Sequence, residues 1–185
     1  MSEENKKKDL SFYTFAFLIY CIIGWIYEVI WEFAIGNGFV NRGFLFGPYL
    51  PIYGFGVLIL YLLLSKVMKK DIRVFNKIKI TPIIVFILIL IIVSVIEYFA
   101  SFVMELIFHK RWWDYSYDWL NINGRISLRN SSLLAIGAMF MLYLIFPIIE
   151  KITSKIPNKI MNYMKYAIWG IMGIDFVVTI LGYLI

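Results

Sequence analysis

From Pro82 to Phe108 the chain runs for roughly 27 residues with two charged side chains, Glu97 and Glu105, about 40 Å of helix at 1.5 Å per residue. So long an apolar run has few folded solutions, and it reads as a membrane span that tilts or protrudes. Similar stretches lie at about 10–35, 52–68, 131–149 and 161–185. The chain of 185 residues is 62% hydrophobic and only 16% charged, with mean hydropathy +0.80. Soluble domains run nearer half apolar and a quarter charged. The expected fold is therefore all-α: a polytopic membrane helical bundle of about five transmembrane helices. Residues 1–185 form one membrane domain with outer loops 36–51 and 109–130, and no soluble domain fits beside it.

Local signals place the breaks. Gly36-Asn37-Gly38 suits a helix stop, and Thr81-Pro82 reads as a cap followed by a first-turn proline. Pro147 falls near the end of the fourth span. Lys6, Lys7 and Lys8 precede the first apolar run like the front of a signal peptide. That run is too long and carries Trp25, Glu28, Trp31 and Glu32, so it reads as a retained helix.

A net charge of +6 raises the question of nucleic acid, but the cations cluster between the apolar segments, which is a topology signal. Thirteen of the 18 Lys and Arg residues fall in three segments, at Lys6–Lys8, at Lys66 to Lys79 and at Lys151 to Lys165. The other five are Arg42, Lys110, Arg111, Arg125 and Arg129. The rule that cytoplasmic loops collect positive charge puts the N-terminus inside, the C-terminus outside and both long loops outside. One cysteine, Cys21, excludes an intrachain disulfide, and with one histidine, His109, no zinc site assembles. No metal or other cofactor is expected, though a carboxylate-bound cation stays open.

Acids inside the spans are the chemical content. A carboxylate in hydrocarbon costs several kcal/mol unless paired, protonated or wet. Counted from the cytoplasmic ends, Glu28 and Glu97 lie roughly 22 to 25 Å deep, in the outer half of a core about 30 Å thick. Glu32 and Glu105 reach its outer boundary, and Asp175 falls roughly 15 to 22 Å deep. Cys21, Trp25, Glu28 and Glu32 share a face of the first helix. Ser94, Glu97, Ser101 and Glu105 share one on the third, and Asp175, Thr179 and Tyr183 one on the fifth. Such stripes wall a polar cavity or form interhelical hydrogen bonds.

The loop from Asn41 to Gly56 is aromatic yet broken by Gly43, Gly47, Pro48, Pro51, Gly54 and Gly56. Backbone without helical hydrogen bonds survives at membrane depth only when buried in protein or lining water. A re-entrant passage with Tyr49 and Tyr53 facing a cavity fits, and so does a structured cap. Arg42 is the natural bidentate partner for Glu28 or Glu32. The second outer loop offers Trp112, Trp113, Asp114, Tyr115 and Trp119, then Asn123-Gly124 as a turn, then Arg125 and Arg129. Trp112 and Trp119 read as interfacial anchors. Arg125 and Arg129 could pair with Glu97 and Glu105 or receive a phosphate or carboxylate. The pattern of an acid-bearing span leading into Asn41-Arg42-Gly43, and again into Asn123-Gly124-Arg125, hints at a parallel repeat.

There is no phosphate-cradling lysine loop, nucleophile elbow or His-Glu-x-x-His pattern, so no catalytic residue stands out. The blocks Gly24-Trp25-Ile26-Tyr27-Glu28, Asn41-Arg42-Gly43-Phe44-Leu45, Gly47-Pro48-Tyr49, Pro51-Ile52-Tyr53-Gly54, Trp112-Trp113-Asp114-Tyr115-Ser116 and Asn121-Ile122-Asn123-Gly124-Arg125 resemble the ABC-transporter type IV, or CmpB-like, family of bacterial multi-pass membrane proteins. The resemblance covers roughly Phe15 to Gly137. A cysteine often stands in the family where this chain has Leu50, so no thiol role transfers. The family implies a permease-like subunit of a transport system in the plasma membrane. Such a subunit would need a cytoplasmic ATPase partner and, having few spans, a homo-oligomer. An intramembrane enzyme acting on a lipid-linked or envelope substrate is the alternative, as is a structural or regulatory protein whose Glu/Arg network is architecture.

Overall fold

The computed structural model describes residues 8–75, 77–109, 111 and 113–184, without the side chains of Phe108, Tyr183 and Leu184. Lys6, Lys7, Lys110, Trp112 and the Tyr183 side chain, which entered the sequence reading, lie outside what is described. Helices α1 (Leu10–Ala34), α2 (Pro51–Met68), α3 (Thr81–Phe108), α4 (Leu128–Phe140), α5 (Phe146–Thr153) and α6 (Asn158–Leu184) follow in order. Two ribbons interrupt them, β1 (Arg73–Val74) with β2 (Ile78–Lys79), and β3 (Asn121–Ile122) with β4 (Ile126–Ser127). A π-helical turn, Met141–Ile145, joins α4 to α5. Among the described residues, five helices are long and apolar enough to cross a membrane: Leu10–Ala34, Pro51–Met68, Thr81–Ile107, Leu128–Thr153 and Asn158–Gly182.

The fourth of these starts earlier and ends later than its apolar run. Ser127 caps it by accepting the Asn130 N–H (3.2 Å), which fixes the start three residues ahead of the apolar run. Pro147 does not end it. The missing proline N–H falls just after the π turn, whose wider spacing absorbs the break, and the helix runs on to Thr153. At the third span the expected cap shifts by one residue. Ile80 occupies the cap, and Thr81 is the first helical residue, its hydroxyl spent on the preceding loop.

The chain divides into two compact units, Met1–Ile59 with Leu144–Ile185, and Leu60–Tyr143. In the first, α1 packs against α6 and α5. Ser11 Oγ donates to Asn162 Oδ1 (2.8 Å), Trp169 Nε1 donates to Thr14 Oγ1 (3.0 Å), and the Phe17 and Trp169 rings stack at 5.3 Å. These contacts rise together along both helices, so α1 and α6 run parallel. The core joins Phe17, Cys21, Ile168 and Met172 to Leu45 and Tyr49 from the loop.

That loop dips back along α1. The Leu50 N–H donates to the Cys21 carbonyl (3.0 Å), about 20 Å back from the end of α1 at 1.5 Å per residue. Gly36 (φ +90°) and Gly38 (φ +71°) end α1, and the chain descends beside it to begin α2 near mid-height. Glycine lets the two helices meet: a Cβ on Gly54 would collide with Cys21 Sγ and the Phe17 ring.

In the second unit α3 and α4 pack side by side, joined through the β3–β4 ribbon. Asn123 (φ +54°) and Gly124 (φ +67°) both take the left-handed region, and the Arg125 N–H closes on the Ile122 carbonyl (3.0 Å). This is the tight turn for which Asn-Gly is suited.

Gly54→Leu should overpack the α1–α2 contact and cost about 1–3 kcal/mol. Gly56→Leu, where a side chain meets open space, should cost little by comparison. Thermal unfolding of the detergent-solubilised variants checks the difference.

Candidate functional site

Each unit carries its own cluster of carboxylate and guanidinium groups. In the first unit, Glu28 and Glu32 sit one turn apart on α1 and present the same face to Arg42 on the descending loop. Arg42 Nε lies 3.6 Å from Glu28 Oε2, and its Nη1 lies 3.4 Å from Glu32 Oε1. The guanidinium therefore bridges two carboxylates by single long contacts, where a bidentate pair with one was expected. The reason is that short hydrogen bonds already occupy each acid. The Tyr53 hydroxyl donates to Glu28 Oε1 (2.6 Å), and Asn37 Nδ2 donates to Glu32 Oε2 (2.6 Å). Glu32 is nearly buried at 10% side-chain exposure, Glu28 stands at 24%, and Arg42 is half exposed at 47%. The triad holds one carboxylate more than it has guanidinium groups.

Asn41 ties the loop beside this triad. Trp25 Nε1 donates to Asn41 Oδ1 (2.7 Å), and Asn41 Nδ2 donates to the Phe46 carbonyl (3.2 Å). Asp175 on α6 takes a different part. It accepts the backbone N–H groups of Phe46 (3.1 Å) and Gly47 (2.9 Å), the Tyr49 hydroxyl and the Thr179 hydroxyl (3.3 Å). Charge-assisted bonds of this kind are about twice as strong as neutral ones, so one carboxylate pins the irregular loop to α6. The amides left free by the glycine-rich backbone thus face an acid of the same protein.

In the second unit Glu105 lies between two guanidinium groups. Arg125 Nη2 reaches Glu105 Oε2 at 2.5 Å, and Arg111 Nε stands 3.3 Å from Oε1. Arg125 Nη1 also donates to Ser101 Oγ (3.2 Å), and its guanidinium lies 5.4 Å from the Phe102 ring centre and 5.9 Å from that of Tyr98. Trp113 Nε1 donates to the Arg125 carbonyl (3.0 Å), and Asn123 Nδ2 donates to the Tyr98 hydroxyl (2.9 Å). An open pocket of about 270 Å³ is lined by Phe102, Glu105, Leu106, His109 and Arg125.

Other expected members separate from this pair. Glu97 meets the Ser131 hydroxyl (3.3 Å). Arg129 approaches Asp118 at 4.0 Å, and Asp118 also accepts from Ser127 Oγ (2.8 Å) and Asn130 Nδ2 (3.1 Å). The pairing considered for Arg129 with Glu97 or Glu105 is thus corrected: the ribbon turns Arg129 toward its own loop. Asp114 Oδ1 accepts from the Ser116 hydroxyl (2.5 Å) and the Ser116 N–H (2.9 Å), and these bonds hold its carboxyl below the usual range. Tyr115 enters through its backbone N–H, which donates to the Gly124 carbonyl (2.8 Å).

Asn37, Tyr98 and Arg111 were not among the expected site residues. Tyr98, Ser101 and Glu105 lie three and four residues apart on one face of α3, a spacing that could have exposed Tyr98. Arg111 gives no comparable signal, because it follows the left-handed residue His109, where helical spacing no longer applies. Among the described residues no group of three or more His, Cys, Asp or Glu could hold a metal ion.

Five apolar helices, with acids inside them matched by hydrogen bonds, define a multi-pass membrane protein. The family described as "Putative ABC-transporter type IV" matches residues 15–180, and the chain belongs to that family. No curated protein and no solved structure matches it.

Because the folded Asp114 titrates below an ordinary aspartate, its contribution to the loop is present above the unfolded pKa and is lost as pH falls through the depressed folded value. Ser116→Ala should move that titration upward. Carboxyl-carbon NMR of Asp114 across the acid range measures the change.

Proposed function

We propose that this chain is the permease-like membrane subunit of a transport system in the plasma membrane. The N-terminus is cytoplasmic, the C-terminus is extracytoplasmic, and loops 36–51 and 109–130 face outward. The distribution of Lys and Arg supports this orientation, and the family supports the transport role.

One observation carries the choice of site: Arg42 is half exposed and bridges Glu28 and Glu32 at 3.4–3.6 Å on the loop that descends beside α1. A guanidinium committed to architecture makes short, shielded bonds, as Arg125 does with Glu105. Arg42 is held loosely enough to exchange partners. With one carboxylate in excess, the triad suits a proton or a cationic group as the species that completes it. Glu28, Glu32, Arg42 and Tyr53, with Trp25 on α1 and Tyr49 on the loop, form the polar site. Asp175 fixes the loop. In the second unit Glu105, Arg125, Asn123, Trp113, Asp114 and Tyr115 order the outer loop, and Glu97 and Arg129 stand apart from that pair.

A partner ATPase would supply nucleotide hydrolysis, and the basic segments 65–79 and 150–165 are where it would meet this chain. A homo-oligomer would complete the pathway that five helices supply only in part.

The competing reading makes the triad a brace. Glu28→Gln separates the two. Transport predicts a melting temperature near that of the parent and loss of function in cells; a brace predicts a melting temperature lowered by several degrees, since about 1 kcal/mol shifts a domain of this size by roughly 2–4 °C. The orientation has its own test. Single cysteines at Phe39 and Tyr117 in a Cys21→Ala background should react with an impermeant maleimide on intact cells, and a cysteine at Lys155 should not. Reversed labelling would overturn it.

A further inference from the structure

The short ribbon between α2 and α3 has two unlike faces. Its register pairs Arg73 with Lys79 and Val74 with Ile78, so each pair shares one side of the ribbon. On the Arg73–Lys79 side Asp71 bonds to both cations, at 2.8 Å to Arg73 and 3.7 Å to Lys79. The other side is apolar and uncovered, with Val74 36% exposed and Ile78 62%, and Phe75, at the turn with φ +51°, is 90% exposed. A lone exposed apolar residue needs no explanation, but three so close together do.

The ribbon is held at the end of a membrane helix. Thr81, the fully buried first residue of α3, accepts the Ile72 N–H (3.0 Å) and donates to the Lys70 carbonyl (2.7 Å). The Ile80 N–H donates to the Ile72 carbonyl (2.9 Å). These bonds set the base of the ribbon on the first turn of α3. Six residues of extended chain reach at most about 20 Å from Thr81, which keeps Phe75 beside the bilayer surface. Over residues 69–79, Lys69, Lys70, Arg73, Lys77 and Lys79 outnumber the single acid Asp71 by five to one, a net charge of +4, with Arg73 and Lys79 the two that Asp71 engages.

We propose that this ribbon lies on the bilayer and is an anchor for anionic lipid. Val74, Phe75 and Ile78 enter the boundary between headgroups and acyl chains, and Lys69, Lys70 and Lys77 meet headgroup phosphates. Each basic residue near an anionic surface contributes about 1 kcal/mol, and an aromatic residue favours the interface. A soluble partner fits less well, because the chain on both sides of the ribbon leads directly into spans, holding the apolar face at headgroup level. The Arg73–Asp71–Lys79 face points away from lipid and stays open to the aqueous side. The inference goes beyond the transport reading and stands without it.

The test places one nitroxide at a time in the full chain, at Arg73→Cys, Phe75→Cys or Ile78→Cys with Cys21→Ala, in nanodiscs. One lipid mixture is phosphatidylcholine with phosphatidylglycerol; the other is phosphatidylcholine alone. With phosphatidylglycerol, labels at 75 and 78 should collide several-fold less with a soluble nickel chelate than the label at 73, and more with oxygen. In phosphatidylcholine alone the contrast should weaken. Equal chelate exposure at all three positions in both lipids would overturn the proposal. So would shielding of 75 and 78 that appears only on adding cytosolic protein, since the face would then belong to a protein partner. If Cys21→Ala does not fold, the native buried Cys21 is kept and the label signal of the parent chain is subtracted.

Discussion

A carboxylate in hydrocarbon has to be matched, and the arrangement of this chain follows from how each one is matched. The penalty for an unpaired buried charge exceeds the worth of almost any packing contact, so these side chains fix which segments must come together. Asp175 collects two backbone amides and two hydroxyls and thereby pulls a glycine-broken loop against α6. Glu105 collects Arg125 and Arg111 and thereby folds the outer connection of the second unit over α3. Glu28 and Glu32 receive neutral donors first and Arg42 only at longer range. That difference separates acids held by backbone amides or a close guanidinium from acids that Arg42 reaches only at longer range.

The descending loop between α1 and α2 depends on the same economy of polar groups. Its backbone makes few helical bonds, so its amides must find acceptors inside the protein. Cys21 and Asp175 supply them, one through a carbonyl midway along α1 and one through a side chain on α6. Small residues make the descent sterically feasible, because Gly54 lets α2 start against Phe17 and Cys21. The irregular stretch is therefore as firmly specified as the helices around it. The π turn before Pro147 is another local irregularity absorbed within a span, here so that a residue without an N–H can sit inside a continuous helix.

The internal echo in the sequence has a limited physical counterpart. In each unit an acid on an apolar helix meets an arginine from the loop that follows it, Glu28 and Glu32 with Arg42, and Glu105 with Arg125. Their chemistry differs in detail. Arg125 is 11% exposed, lies near the Phe102 and Tyr98 rings and is tied to Ser101, whereas Arg42 is half open. Similar local patterns thus yield one closed pair and one loose triad. The neighbours that close a pair, Tyr98 and Arg111, come from positions without an echo in the first loop.

Much of the fold was legible because hydrophobicity sums over many residues. Five apolar runs, the glycines that end α1 and the Asn-Gly turn each report a local preference strong enough to survive any tertiary context. The partners of the acids were legible only as far as helical spacing carries. Spacing placed Glu28 with Glu32 and Ser101 with Glu105, and the affinity of guanidinium for carboxylate suggested Arg42 and Arg125. It did not separate Asp175 from the other acids, turn Arg129 toward Asp118 or bring Arg111 to Glu105. Hydropathy and periodicity are properties of neighbouring residues, and the sequence alone determined the number of spans, their approximate places and the faces that carry charge. Which donor reaches which carboxylate depends on the path of an irregular loop through three dimensions, and only the tertiary structure decided that.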